Sequence, residues 1–488
     1  MKKLLLLIFP LLVSAVAAAS SSTRPNVLMI VVDDLNDWVG CLDGPHPRAL
    51  TPNIDRLAAR GTLFNNAHAQ APLCNPSRTS VLSGLRPSTT GVYGLAPGPR
   101  EVPLLKDWVM LPQYFAQHGY FTACYGKIWH DGAIKPADKA NEFNVFGPAP
   151  GEQYPAHKIV ETQSNLRAVD WGVRPGEDSQ FADWKTADNT LAQLKTVPKD
   201  RPFFIAAGFR LPHLPCYATQ KWFDLYPEDK LPLPEVYLDD RKDVPDFAWY
   251  LHWKLPEPRL SWLEKNHQWH PLVRAYLAST SFMDSQIGRL LDGLEKSGQM
   301  DNTIVVLWSD HGWHIGEKLI SGKNSLWERS THVPLIFSGP GVEAGSVCSQ
   351  PVELLDIYPT LLAAAGLPAR DGLEGHSLVP QLRDPSTVRV WPAVTTSNAD
   401  NHAVRDTRWR YIRYAEGSEE LYDMAADPNE WTNLAKDPHY AAVKIRLGKF
   451  MPATSAAPAP GSAHRTLVRD GTIWRWEGEP IKPEELEQ

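Results

Sequence analysis

The sequence is poor in the features that mark nucleic-acid binders and integral membrane proteins. Of its 488 residues, 49 are Lys or Arg and 56 are Asp or Glu, a formal net charge of −7. It has no basic run and no nucleic-acid motif, which argues against an electrostatic nucleic-acid binder. An acidic average still permits a local basic pocket, so an anionic substrate stays open. After the first residues no segment reads as a transmembrane helix, so stable membrane insertion is not expected. No internal repeat is present. Cysteine is scarce: Cys41, Cys74, Cys124, Cys216 and Cys348 are too widely spaced to form a disulfide framework, and a core of this size does not need one. An exported chain could pair four of them and leave one over; the pairing is not legible.

What is abundant is proline, with 43 residues, and tryptophan, with 18. Prolines suit long ordered loops, and tryptophans suit both core packing and stacking on sugars. The N-terminus predicts a signal peptide over residues 1–19. Lys2 and Lys3 supply a positive start, an apolar stretch runs from Leu4 to about Val16, and Ala17, Ala18 and Ala19 supply a small-residue cleavage site. The apolar run is short for a spanning helix, and no Cys follows it to carry a lipid. The expectation is export, to the periplasm or outside the cell.

Asn26 to Val32 is a continuous apolar, β-branched run, as expected of a parallel strand buried on both faces. It ends abruptly in Asp33-Asp34. Pro202 to Phe209 and Thr303 to Trp308 have the same character, the latter ending in Ser309-Asp310-His311; Val333 to Phe337 is a fourth candidate. Helical patterns fall between them, at Asn53 to Arg60, Leu111 to His118 and Ala275 to Lys296. Strands alternating with helices predict an α/β fold, a mainly parallel sheet with helices on both faces. Ligands of such sheets sit beyond the carboxyl ends of the strands, where both acidic clusters fall. The pattern changes after about residue 385. Ala403 to Tyr414 alternates like a strand and Glu420 to Asp423 follows a turn, which predicts a smaller C-terminal α+β domain with an antiparallel sheet. The expected division is a catalytic domain over 24–385 and a smaller one over 386–488, with a flexible Pro/Ala-rich connector near 452–463.

Several carboxylates at one place repel one another unless a cation neutralises them, and oxygen donors favour Ca²⁺ or Mg²⁺. A lone Asp-Asp pair is more often a cap or a solvated turn. Two acidic clusters at strand ends are a stronger signal. The second feature is Leu73 to Arg86, which contains Cys74-Asn75-Pro76-Ser77-Arg78 followed by Ser83-Gly84-Leu85-Arg86. This segment resembles the signature of the type I sulfatases. In that family the Cys is oxidised after translation to formylglycine by a maturation enzyme. Its hydrated aldehyde is the oxygen nucleophile, and the second hydroxyl later expels sulfate.

The resemblance extends to Gly126-Lys127-Ile128-Trp129-His130, Leu211-Pro212-His213-Leu214-Pro215, Ser309-Asp310-His311-Gly312 and Thr331-His332-Val333-Pro334-Leu335, the last two bracketing Lys323. It implies an alkaline-phosphatase-like sheet. It implies that Asp33, Asp34, Asp310 and His311 bind Ca²⁺, with Mg²⁺ left open, together with modified Cys74. His311 is not a typical hard-cation ligand and could instead orient the sulfate or the nucleophile. By the same resemblance Arg78 steadies the nucleophile loop and Lys127 and Lys323 neutralise sulfate oxygens. His130 takes a proton from the diol, and His213 serves the leaving sugar oxygen. Taken singly, each of these residues has a plainer role as a solvated lysine, a hydrogen-bonding histidine or a rigid Pro-His turn. Their weight comes from the shared order.

The pattern is most similar to the iduronate-2-sulfatase-like branch, through His311 and the loop after His213. It implies a sulfated oligosaccharide or polysaccharide as substrate, with a 2-O-sulfated uronic acid at a non-reducing end foremost. The alternatives are a phosphoesterase or phosphonate hydrolase of the same superfamily and an inactive glycan-binding homologue. Two regions are candidates for the substrate rim. Residues 216–270 carry Trp249, Trp253, Trp262 and Trp269, which could stack on sugars or fix an irregular loop to the body. Asn401, His402 and Arg405 could reach a uronate carboxylate or a neighbouring sulfate.

Overall fold

The computed structural model describes residues 24–44 and 46–485. The expected signal peptide lies outside the described residues. Among those described, no helix is long and apolar enough to cross a membrane.

Eight strands make the main sheet: β1 (Asn26–Asp33), β2 (Gly61–Phe64), β3 (Phe121–Gly126), β4 (Val145–Phe146), β5 (Phe203–Pro212), β6 (Thr303–Ser309), β7 (Leu335–Ser338) and β8 (Ser346–Cys348). Their order across the sheet is β8-β2-β7-β6-β1-β5-β3-β4. β7 runs antiparallel to β2 and β6, and the other pairings are parallel. β1 lies at the centre and is apolar at every position from Val27 to Val32 because both its faces are covered. Leu28, Ile30 and Val32 pack with helices α1 (Pro52–Ala59), α3 (Ala182–Thr196) and α4 (Trp269–Lys296). Val27, Met29 and Val31 face the other way, onto α2 (Cys74–Ser83) and α5 (Ile357–Ala364). The period of two along the strand thus divides the core into two layers.

The long helix α4 begins at Trp269 rather than at Ala275. Pro271 falls in its first turn, where the missing N–H would have no intrahelical partner in any case.

The C-terminal sheet is antiparallel, with β9 (Ala393–Thr396), β10 (His402–Arg405), β11 (Trp409–Arg413) and β12 (Glu419–Asp423) in sequential order. The alternation over 403–414 is therefore two strands and not one. Asp406 makes the turn between them, its Oδ1 accepting from the N–H groups of Arg408 and Trp409 at 2.8 and 2.6 Å. A second antiparallel unit follows, with β13 (Leu467–Asp470), β14 (Ile473–Trp476) and β15 (Glu479–Pro480).

Residues 452–463, expected as a flexible connector, are docked on the body. The N–H groups of Ala456 and Ala459 donate to the carbonyls of Ser88 and Gly91, and Ala463 pairs with Ala96. Of the tryptophans in the irregular stretch after β5, Trp262 and Trp269 are partly buried against the main core. Trp249 and Trp253 are buried with Trp327, Tyr414 and Tyr422, joining the main body to the C-terminal sheet.

Candidate active site

The site is built on the carboxyl ends of β1 and β6. β1 ends in Asp33, and Asp34 follows with φ at 60°, the left-handed conformation that Asp adopts more readily than most residues. This turn brings the Asp34 N–H to within 3.1 Å of Asp310 Oδ1, just beyond β6. Ser309 Oγ accepts from Leu35 N at 2.9 Å, and the Tyr276 hydroxyl on α4 donates to the Asp34 carbonyl at 2.8 Å. All three aspartates are fully buried, and oxygens of Asp33, Asp34 and Asp310 lie within 4.8 Å of one another.

Cys74 is the first residue of α2, where the helix dipole favours a negative group. Its Sγ lies 3.1 Å from Lys323 Nζ, 3.3 Å from His311 Nε2 and 3.9 Å from Asp34 Oδ1. Burial alone would raise the thiol, but Lys323, Lys127 and His311 outweigh it and hold the group well below the ordinary cysteine range. One turn later on the helix, Arg78 is wholly enclosed. Its Nε donates to Asp310 Oδ2 at 2.8 Å and its Nη2 to Asp33 Oδ1 at 3.0 Å. Its Nη1 donates to the Lys127 and Ile128 carbonyls.

Lys127 follows β3 and pairs with Asp33 Oδ2. Lys323 pairs with Asp34 Oδ1 at 2.7 Å. Burial would raise the Asp33 carboxyl, but Lys127 and Arg78 hold it well below the usual range. Burial would lower the His311 pKa, but Asp310 pushes it up to about 9, assisted by Cys74 and Asp34. Its Nδ1 faces the Gly312 carbonyl at 3.0 Å. His213 Nε2 lies 3.9 Å from Asp34 Oδ2, which raises the His213 pKa against the effect of burial. His130 lies beside Cys74, and its Nδ1 is buried without a hydrogen-bond partner.

The structure thus gathers Asp33, Asp34, Cys74, Arg78, Lys127, His130, His213, Asp310, His311 and Lys323 into one place. It does not bring in His402 and Arg405. His402 is 1% exposed within β10, between Thr396 Oγ1 at 3.0 Å and Ser455 Oγ at 3.4 Å. Arg405 pairs with Glu328 at 3.4 Å. Asn401 is likewise buried, its Oδ1 accepting from Ala415 N. Asn401 and His402 brace the C-terminal sheet, and Arg405 ties it to the main body.

Sequence reasoning missed Ser77, whose hydroxyl donates to the Asp310 carbonyl at 2.5 Å, although it sits inside the motif. It also missed Asn75, whose amide spans the Gly94 and Pro97 carbonyls at 3.0 Å each, and Tyr276, which no local signal marks. A cavity of about 200 Å³ opens beside Asp33 and His213, lined further by Asp131, Glu152, Tyr154 and Arg210.

Carboxylates converging beside a nucleophile position, with two buried ammonium groups, suit hydrolysis of an anionic ester. Comparison with known proteins narrows that class. The family model Sulfatase matches residues 25–367, and N-sulphoglucosamine sulphohydrolase, C-terminal, matches residues 316–456. A protein named Sulfatase from Formosa agariphila is 39% identical, with 89% of this chain and 87% of that protein covered. Choline-sulfatase of Rhizobium meliloti is 31% identical, with 94% of each covered. Delta 4,5-hexuronate-2-O-sulfatase of Bacteroides thetaiotaomicron is 29% identical, with 86% of each covered. The chain belongs to the sulfatase family and is a sulfuric ester hydrolase.

Proposed function

We propose that this protein is an exported sulfatase that removes a 2-O-sulfate from a uronic acid at the non-reducing end of a sulfated glycan, with Cys74 converted to formylglycine by a maturation enzyme. The observation that carries the reading is the position of Cys74 Sγ, at the start of a buried helix and within reach of Lys323, His311 and Asp34. The hexuronate 2-O-sulfatase among its relatives favours this substrate. The choline-sulfatase supplies the competing one.

The donor set fits a hard divalent cation. Asp34 Oδ2 is buried without a hydrogen-bond partner, beside the oxygens of Asp33 and Asp310. Asp33, Asp34 and Asp310 would hold Ca²⁺, or Mg²⁺, and the ion would draw electron density from the sulfate oxygens. Converted Cys74 would supply an oxygen nucleophile and its own route of release. His311, held at Nδ1 by the Gly312 carbonyl, directs Nε2 toward that group. Lys127 and Lys323 bring two ammonium groups to the place where charge develops on the sulfate. Arg78 locks the start of α2 to both acidic strand ends. His130 takes the proton of the nucleophile, and His213, which opens on the cavity, gives one to the departing sugar oxygen.

The test is sulfate release by purified protein from a disaccharide ending in a 2-O-sulfated uronic acid. Choline sulfate and an aryl phosphate run in parallel, together with mass spectrometry of the Cys74 peptide. Release from the disaccharide that falls to background in Cys74→Ala is expected. Converted protein that leaves the disaccharide intact but cleaves choline sulfate would overturn the substrate reading. A wild-type rate unaffected by Cys74→Ala would overturn the mechanism.

A further inference from the structure

Two loops leave neighbouring strand ends, one carrying His130 and the other His213. β3 and β5 are parallel partners up to Gly126 and Gly208, and the Lys127 N–H donates to the Gly208 carbonyl at 2.9 Å. Beyond that point the backbone ladder stops. A side-chain bridge takes its place. Arg210, three residues before His213, directs Nη1 and Nη2 onto Asp131 Oδ2 and Oδ1 at 2.7 and 2.8 Å, and Asp131 directly follows His130.

The bridge is anchored on the Arg210 side. Arg210 Nε donates to the Pro150 carbonyl at 2.7 Å. The N–H groups of Arg210 and Leu211 donate to the two oxygens of Asp183, buried on α3, at 2.7 and 3.0 Å. Each nitrogen of the guanidinium group is therefore engaged, and the strand end beneath it is clamped. Asp131 has fewer anchors, and Gly132 after it turns the chain at φ 75°. A bidentate fork fixes both distance and angle, which a single ammonium contact does not.

The pair is open to solvent mainly on one side: the side chain of Asp131 is 55% exposed and that of Arg210 is 18% exposed. An ion pair with one exposed partner is a modest stabiliser. Both residues line the cavity beside Asp33 and His213, so the geometry they control faces the reacting groups.

We propose that Asp131 and Arg210 are positioning residues that fix the spacing of His130 and His213, and hence of the two proton transfers. The inference rests on the roles given to these histidines above. Neither residue contacts the reacting atoms; they act through the histidines.

The test uses full-length protein and the same 2-O-sulfated disaccharide. Arg210→Lys and Asp131→Asn should each lower kcat by about 10- to 100-fold, the range expected for misplaced catalytic groups, with KM changed less than about twofold. The double variant should be no worse than the poorer single one, and Arg210→Lys should cost less in a His130→Ala or a His213→Ala background than in the wild type. Thermal midpoints should stay near that of the wild type. A rise in KM at constant kcat would overturn the proposal in favour of direct substrate binding. A loss of activity that tracks a loss of thermal stability would overturn it in favour of a structural role.

A second readout needs no turnover. Ring NMR signals of His130 and His213, assigned with His130→Gln and His213→Gln, should both move in Arg210→Lys and in Asp131→Asn, while the distant His402 signal stays fixed. Unmoved His130 and His213 signals would overturn the proposal. If wild-type protein releases no sulfate, the substrate reading fails, and the NMR comparison still decides the role of the pair.

Discussion

Arg78 is the residue on which the site depends most directly. It is fully buried and satisfies one oxygen each of Asp33 and Asp310. Replacing it with a neutral residue leaves Asp33 with Lys127 alone and Asp310 with only His311 at 3.7 Å, and breaking a buried pair from one side costs about 3–5 kcal/mol. Arg78→Lys keeps the charge but loses the fork that spans both acids and the carbonyls after β3. The expected outcome is a lower urea midpoint together with loss of sulfate release. An Arg78→Lys protein as stable as the wild type would show that the charge alone suffices and that the fork is dispensable for stability. Much of this residue-level picture was legible. Cys74 and Arg78 lie one helical turn apart, and a short motif preserves that relation in the sequence. Asn75 and Ser77 sit in the same motif, but their partners are backbone carbonyls, which no residue pattern records. Tyr276 reaches Asp34 from the middle of a long helix whose periodicity speaks only for its packing.

At the scale of elements, the pattern of burial was read more reliably than the turns. The run before Asp33 could only be a strand covered on both faces, and it is. The stretch around residue 406 hid its turn, because a two-stranded hairpin and one long strand share the same alternation. The histidine at the start of β10 was expected at the substrate rim, yet it is enclosed within the C-terminal sheet. The enclosure has a consequence for acid stability. Burial lowers the pKa of His402 from 6.5 to about 4. A depressed pKa means that the unfolded chain takes up the proton first. The contribution of His402 is therefore intact above about pH 6.5 and is lost as the pH falls toward 4. A shift of this size is worth about 3 kcal/mol at most. Urea midpoints measured from pH 7 to pH 4 should fall less steeply in His402→Gln than in the wild type, with sulfate release at neutral pH little changed. Parallel curves for the two proteins would show that His402 is not titrating in this window.

The whole molecule joins distant segments around a concentrated charge. Residues 452–463 look like a linker by composition, but their backbone is hydrogen-bonded to residues 88–96, beside the carbonyls that hold Asn75. Composition describes the freedom of an isolated segment, whereas docking depends on partners more than 300 residues away. The same long-range assembly places Asp33, Asp34 and Asp310 together, opposed by Arg78, Lys127 and Lys323. In an unfolded chain these acids are far apart and have no shared affinity for a cation. Binding to the folded state alone stabilises it by mass action, about 2.7 kcal/mol at a hundredfold excess over Kd. In a chain of this length that corresponds to a rise of only a few degrees in the thermal midpoint. Chelator-treated protein should show that rise when Ca²⁺ is restored, and Mg²⁺ run alongside ranks the two ions. Asp34→Asn should abolish the shift, because the amide removes one charge from the donor set; its midpoint without ions is the reference, since Lys323 also loses its partner. A wild-type midpoint indifferent to both ions would mean that Arg78, Lys127 and Lys323 already neutralise the three carboxylates, and that the site is complete without a metal.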